Sequence, residues 1–167
     1  MKNKKGISGV ITAVIMIALV MVVAVIVWVV VRNIVQGQLG GVESCFGVYE
    51  KVTINNMYTC YNPTSNEFQF SINIGDADVD AVIVSISGEG TTKSYTIKNV
   101  NESISGLGPY PSGSGNVTLP GKNSGLTYIE NTFTTKPDLV QIAPTMGGKQ
   151  CEVSDSLAEI DDCASLA

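Results

Sequence analysis

The chain of 167 residues contains no histidine at all. That absence removes the usual general base of proton transfer, together with the Ser-His and Cys-His nucleophile pairs. No Gly-x-Ser-x-Gly elbow is present either. Arginine occurs once, at Arg32, and no acidic residue precedes Glu43. From Glu43 onward six lysines face fifteen carboxylates, a net charge of −9. Such a surface has no electrostatic footprint for nucleic acid, so that class of partner is excluded. With catalysis unsupported, the chain is not expected to be an enzyme or to hold a cofactor.

Charge is missing altogether from Ile7 to Val31, twenty-five residues that read ISGVITAVIMIALVMVVAVIVWVVV. As an α-helix this run is ~37 Å long, at ~1.5 Å per residue, which exceeds a bilayer core of ~30 Å. None of its faces is polar, so it is not the amphipathic helix of a water-soluble domain. Lys2, Lys4 and Lys5 precede it and only Arg32 follows closely. That bias predicts a cytoplasmic N-terminus and an external C-terminal part. Residues 32–36 offer no A-x-A cleavage pattern, and the apolar core is longer than that of a secretory signal. The segment is therefore expected to stay in the mature protein.

Lys4-Lys5-Gly6-Ile7-Ser8-Gly9-Val10-Ile11, fused directly to the apolar run, resembles the processing site of archaeal type IV pilin-like proteins. The resemblance covers about the first thirty residues. It implies a class III signal peptide, with Lys4 and Lys5 in a short leader and cleavage by a prepilin peptidase between Gly6 and Ile7. It further implies an assembly ATPase with its membrane platform protein, and copies of the same chain, as partners. Bacterial pilins usually carry Glu five residues into the mature helix. Here that position is Ile11, as is common in the archaeal branch. Archaellins, the motility relatives, tend to begin their helix with more glycine; Val10 to Ile15 looks more like an adhesive pilin. The alternative is an uncleaved single-pass anchor for an external binding domain. Gly9 and Ala13 form a small-xxx-small pair, a pattern that also arises by chance in such a segment. Trp28 near the outer end suits a membrane interface.

The expected organisation is a leader over 1–6, a transmembrane or filament-core helix over 7–36, a Gly-rich joint over 37–44 and an extracellular head over 45–167. Three glycines among Gly37-Gln38-Leu39-Gly40-Gly41 predict a break in the helix. Beyond Cys45 the apolar period changes to two, clearest in Phe68, Phe70, Ile72 and Ile74. Strands are also predicted over 46–54, 57–61, 81–87, 94–97, 126–133 and 139–143. Asn55-Asn56 supplies a turn between the first two, and Gly88-Glu89-Gly90 another. The fold class is α+β, a long hydrophobic helix followed by a β-rich, sandwich-like head, although periodicity alone does not exclude a small barrel. Residues 106–125, rich in glycine and proline, read as an exposed loop without core. Ser156-Leu157-Ala158-Glu159 fits a capping box and predicts a short helix over 154–162.

Four cysteines, Cys45, Cys60, Cys151 and Cys163, fall in the head. An even number outside the cell predicts two disulfides, with three possible connectivities. Their spacing and the lack of histidine argue against zinc. Local pairing, Cys45–Cys60 with Cys151–Cys163, is preferred because each bridge staples a short loop, while a bridge from Cys45 to the tail stays open. Asn101-Glu102-Ser103 and Asn116-Val117-Thr118 are glycan-acceptor triplets, and Asn62-Pro63-Thr64 is excluded by its proline. Asp76, Asp78 and Asp80 alternate as calcium ligands do, yet Ala81 and Ser87 occupy the positions where a calcium loop needs Gly and Glu. An acidic turn is the expected reading.

Overall fold

The computed structural model describes the backbone of residues 5–163 and the side chains of 9–35 and 45–163. Lys4 and the rest of the leader before it lie outside the described residues. The chain forms two compact units that divide after Gly41.

The first element, α1, runs from Lys5 to Phe46. Its Gly9–Val35 segment, 27 residues, is long and apolar enough to cross a membrane. The helix does not break over 37–44, as the glycines predict, but continues to Phe46. Glycine in a helix interior costs about 1 kcal/mol relative to alanine, a penalty and not a prohibition. Proline, which does stop a helix, is absent from the whole of α1.

The head follows in short strands. After β1 (Val52–Ile54), Asn55 caps a single 3₁₀ turn, Asn56–Tyr58, by accepting from the Met57 N–H. The predicted tight turn is thus a capped helical turn. Then come β2 (Cys60–Asn62), β3 (Glu67–Ile74), β4 (Ala81–Gly88) and β5 (Thr91–Lys98). The β4–β5 hairpin closes through Glu89 and Gly90, both at positive φ (51° and 74°), the backbone that right-twisted strands require of a two-residue turn. Next are β6 (Glu102–Ser103), β7 (Leu107–Pro109), β8 (Asn116–Val117), β9 (Ser124–Glu130) and β10 (Leu139–Met146). The tail supplies β11 (Lys149–Gln150), β12 (Asp155–Leu157) and β13 (Asp161–Asp162).

These strands build three sheets. The first has the order β13-β2-β3-β9-β7, with β1 also on β3; the second has the order β11-β10-β4-β5, with β12 also on β10; the third is the β6–β8 pair. Pairing is antiparallel except between β13 and β2. One hydrophobic cluster draws on both large sheets, with Phe68, Phe70, Ile72 and Tyr128 from the first and Val82, Val84, Ile86, Ile97, Val140 and Ile142 from the second. Alternation makes this possible: every second side chain of β3 and β4 turns inward. The rings of Phe68 and Phe70 lie 5.7 Å apart, and Tyr128 sits 5.4 Å from Phe70.

Two further expectations need correction. Residues 106–125 are not coreless, because Leu107, Val117 and Leu119 are buried in the cluster. The run closes on itself at Gly108, where a Cβ would lie 2.3 Å from the Gly113 carbonyl carbon. The tail is not helical either. Asp155 accepts from the Ile54 N–H at 2.8 Å, Ser154 donates to the Val52 carbonyl at 2.9 Å, and β12 pairs with β10. Such long-range bonds outweigh a capping motif worth ~1 kcal/mol.

Candidate functional site

Two places carry the chemistry that the sequence singles out: the apolar helix and the covalent staples of the head. Every described side chain from Gly9 to Val35 is exposed. Twenty of them, from Val10 to Val35, are large and apolar, with fractional exposures between 45% and 68%. Full burial of such a side chain is worth about 1.5–3 kcal/mol, so this surface is tens of kcal/mol from comfortable in water. A Cβ added at Gly9 would meet nothing, so the glycine leaves an open notch on the helix surface. Trp28 is the most exposed of these twenty, at 68%. The Gly6–Ile7 bond belongs to the first turn of α1, while Lys5, Gly6 and Ile7 have no described side chains.

All four cysteines are oxidised, but not in the expected local pairs. Cys45 bonds Cys151 and Cys60 bonds Cys163, with Cα separations of 5.5 and 5.0 Å. The last turn of α1 is thereby tied to the segment after β11, which bonds back to β10 through Cys151 N–H and the Pro144 carbonyl at 2.8 Å. The second bridge lies beside the parallel β2–β13 pair. Pairing is decided by which strands meet, a long-range fact that loop length does not reveal. Disulfides of this kind persist in oxidising compartments.

A buried carboxylate is the feature that sequence reasoning missed. Glu130 ends β9 with no exposed surface. Tyr95 donates to its Oε1 at 2.8 Å, as does the Thr132 N–H at 3.0 Å, and the Phe133 N–H donates to Oε2 at 3.2 Å. The Thr132 hydroxyl donates to the same Oε1. Lys93 donates to the Thr132 carbonyl at 3.1 Å and stands 4.7 Å above the Phe133 ring. The Glu130 side chain thus holds the turn after β9 against β5, a buried acidic group whose oxygens are satisfied by convergent donors. Burial, followed by the opposing effects of Thr132 and Glu130, pushes the Tyr95 hydroxyl up to about 12. Burial also raises Tyr128, whose hydroxyl donates to the Thr118 carbonyl at 2.7 Å.

Asp76, Asp78 and Asp80 do not converge on an ion site. Lys122 pairs with Asp78 at 2.8 Å and more loosely with Asp76 at 3.9 Å, while Asp80 accepts from the Gly147 N–H at 2.6 Å. The hydrogen bond to Asp78 is the main reason that the Lys122 ammonium is raised. Among the described residues no group of three His, Cys, Asp or Glu side chains is arranged to hold a metal. Beside this turn an open cleft of about 460 Å³ is lined by Lys51, Thr53, Asn73, Asp76, Asn123 and Ser124 among others. Asn101 and Asn116 are both exposed, on or next to the β6–β8 pair.

Comparison with family models, curated proteins and solved structures finds no match to this chain.

Proposed function

We propose that this chain is the precursor of a structural subunit of an archaeal type IV pilus-like surface filament. On this reading a prepilin peptidase cuts after Gly6, and Ile7 becomes the new N-terminus. The membrane holds the helix until an assembly ATPase and its platform protein move it into the filament. There, copies of the same helix replace lipid as its surroundings. The head, a two-layer β-sandwich outside the cell, makes the filament surface and serves adhesion or surface contact. No chemical step is assigned to it.

One observation carries the reading. A helix apolar on every side over 27 residues leads into a head with its own core and two disulfides. In lipid such a helix is satisfied, since its backbone bonds are internal. In a bundle of identical helices the same side chains pack against one another, so both environments suit one sequence. The Lys-Lys-Gly-Ile-Ser start adds the cleavage site by resemblance. The grouping of both large sheets around one cluster supports the sandwich.

The experiment is to determine the N-terminus of the mature protein, by intact mass or terminal sequencing from the cell surface. A chain beginning at Ile7 is the expected result. A surface pool that still carries Lys4-Lys5-Gly6 would sink the filament reading and leave an uncleaved membrane anchor bearing an external binding domain.

A further inference from the structure

The smallest sheet of the head holds an arrangement that neither triplet reveals alone. In the β6–β8 ladder Glu102 pairs with Val117, and Ser103 pairs with Asn116. These residues belong to the two triplets Asn101-Glu102-Ser103 and Asn116-Val117-Thr118. Side chains two apart on a strand share a face, and an acceptor triplet has its Asn and its hydroxyl two apart. The middle residues turn the other way: Val117 is buried in the hydrophobic cluster, and Glu102 meets Lys98 at 3.5 Å. Asn101, Ser103 and Asn116 are exposed and Thr118 is half-buried. Ser103 and Asn116, partners in the ladder, therefore share one outward face, and Asn101 and Thr118 directly flank it at the ends of the two strands.

Neither amide is occupied by the fold. No hydrogen bond among the described residues engages the side chain of Asn101 or Asn116. Asn62, in the triplet blocked by Pro63, is used differently: its Oδ1 accepts from the Thr64 and Ser65 N–H groups at 3.0 and 3.4 Å. We propose that Asn101 and Asn116 both carry N-linked glycans, making the β6–β8 ribbon a single sugar-bearing face. The co-reactant is an oligosaccharide activated at its anomeric carbon by a lipid-linked phosphate. The Asn Nδ2 forms the new C–N bond, and the anomeric C–O bond breaks. Its electron pair leaves with the phosphate, and a base of the transferase takes the amide proton. Cross-strand and diagonal neighbours on such a ladder lie within ~5–8 Å of each other, so the two sugars rise side by side. Because Val117 anchors the opposite side, they do so without disturbing the core.

This inference rests only on the head lying outside the cell, which holds whether or not the leader is removed. Its outcome is therefore separate from that of the N-terminal measurement. The test is the intact mass of the full chain produced in cells that glycosylate a control acceptor protein. The unsubstituted chain is expected to exceed its polypeptide mass by two glycans. Asn101→Gln and Ser103→Ala should remove one and the same glycan, and Asn116→Gln and Thr118→Ala the other. Ser103→Thr should keep both, which separates loss of the triplet from damage to the ribbon. A bare polypeptide mass, a single glycan, or additions unmoved by these substitutions would overturn the proposal.

Discussion

The helix displays its apolar side chains on every side, whereas the head buries its own in one cluster drawn from both large sheets. Within Gly9–Val35 no described side chain is buried, yet in the head Phe68, Phe70, Ile72, Val82, Val84 and Ile86 have no exposed surface. The difference follows from pattern. A strand with period two separates an inner face from an outer one, while an unbroken apolar run gives a helix no outer face to offer water. The head therefore carries its own stability, and the helix takes its stability from whatever surrounds it.

The strongest way to break that contrast is to separate the halves. Residues 42–167 alone should be folded and monomeric without detergent, while the full chain should need lipid or detergent to stay dispersed. Size-exclusion chromatography reads the difference as all or none, and a head that aggregates by itself would refute the contrast. A smaller effect comes from the staples. Replacing Cys45 and Cys151 by serine opens a covalent ring that, with Cys60–Cys163 intact, spans about 27 residues, 15 from 45 to 60 and 12 from 151 to 163, and loops of that size are worth about 3–4 kcal/mol in chain entropy. The urea midpoint of the head should fall accordingly, while recovery of the full chain in the membrane fraction should not change.

The smallest effect is a pH slope. Tyr95 is raised in the folded head to about 12, against ~10 in the unfolded chain. Its contribution is therefore complete below pH 10 and is lost as pH rises from 10 toward 12. Thermal melts of the head should be flat up to pH 10 and then decline, and Tyr95→Phe should weaken that decline. Tyr128, raised in the same direction, keeps part of the slope. The helix has no titratable group between Gly9 and Val31, so its membrane retention should show no matching change.

What could be read beforehand was local. Ile7 to Val31 announces its helix by composition, and Phe68-x-Phe70-x-Ile72-x-Ile74 announces β3 by alternation, because both signals lie within a few neighbouring residues. The errors share one cause. Ser156-x-x-Glu159 favours a helix locally, but Asp155 is needed by the Ile54 N–H and β12 by β10. The cysteines pair across more than 100 residues, where spacing carries no information. Glu130 resembles any other surface glutamate until Tyr95, Thr132 and Phe133 converge on it. Gly37, Gly40 and Gly41 lower helix propensity without deciding the outcome, since α1 runs through to Phe46.

The crossed bridges also set how far this protein lengthens under tension. A pull between α1 and Cys163 does not have to run through the 118 residues from Cys45 to Cys163, because the Cys45–Cys151 bond leaves only the 12 residues from 151 to 163 in the shortest covalent path. At ~3.6 Å per extended residue, that is slack of ~40 Å in place of more than ~400 Å. The head behaves as a knot in a rope and not as a coil of spare line: load on the helix reaches Cys163 through sulfur along residues 151–163 and along 45–60, and β3 to β10 lie outside both paths.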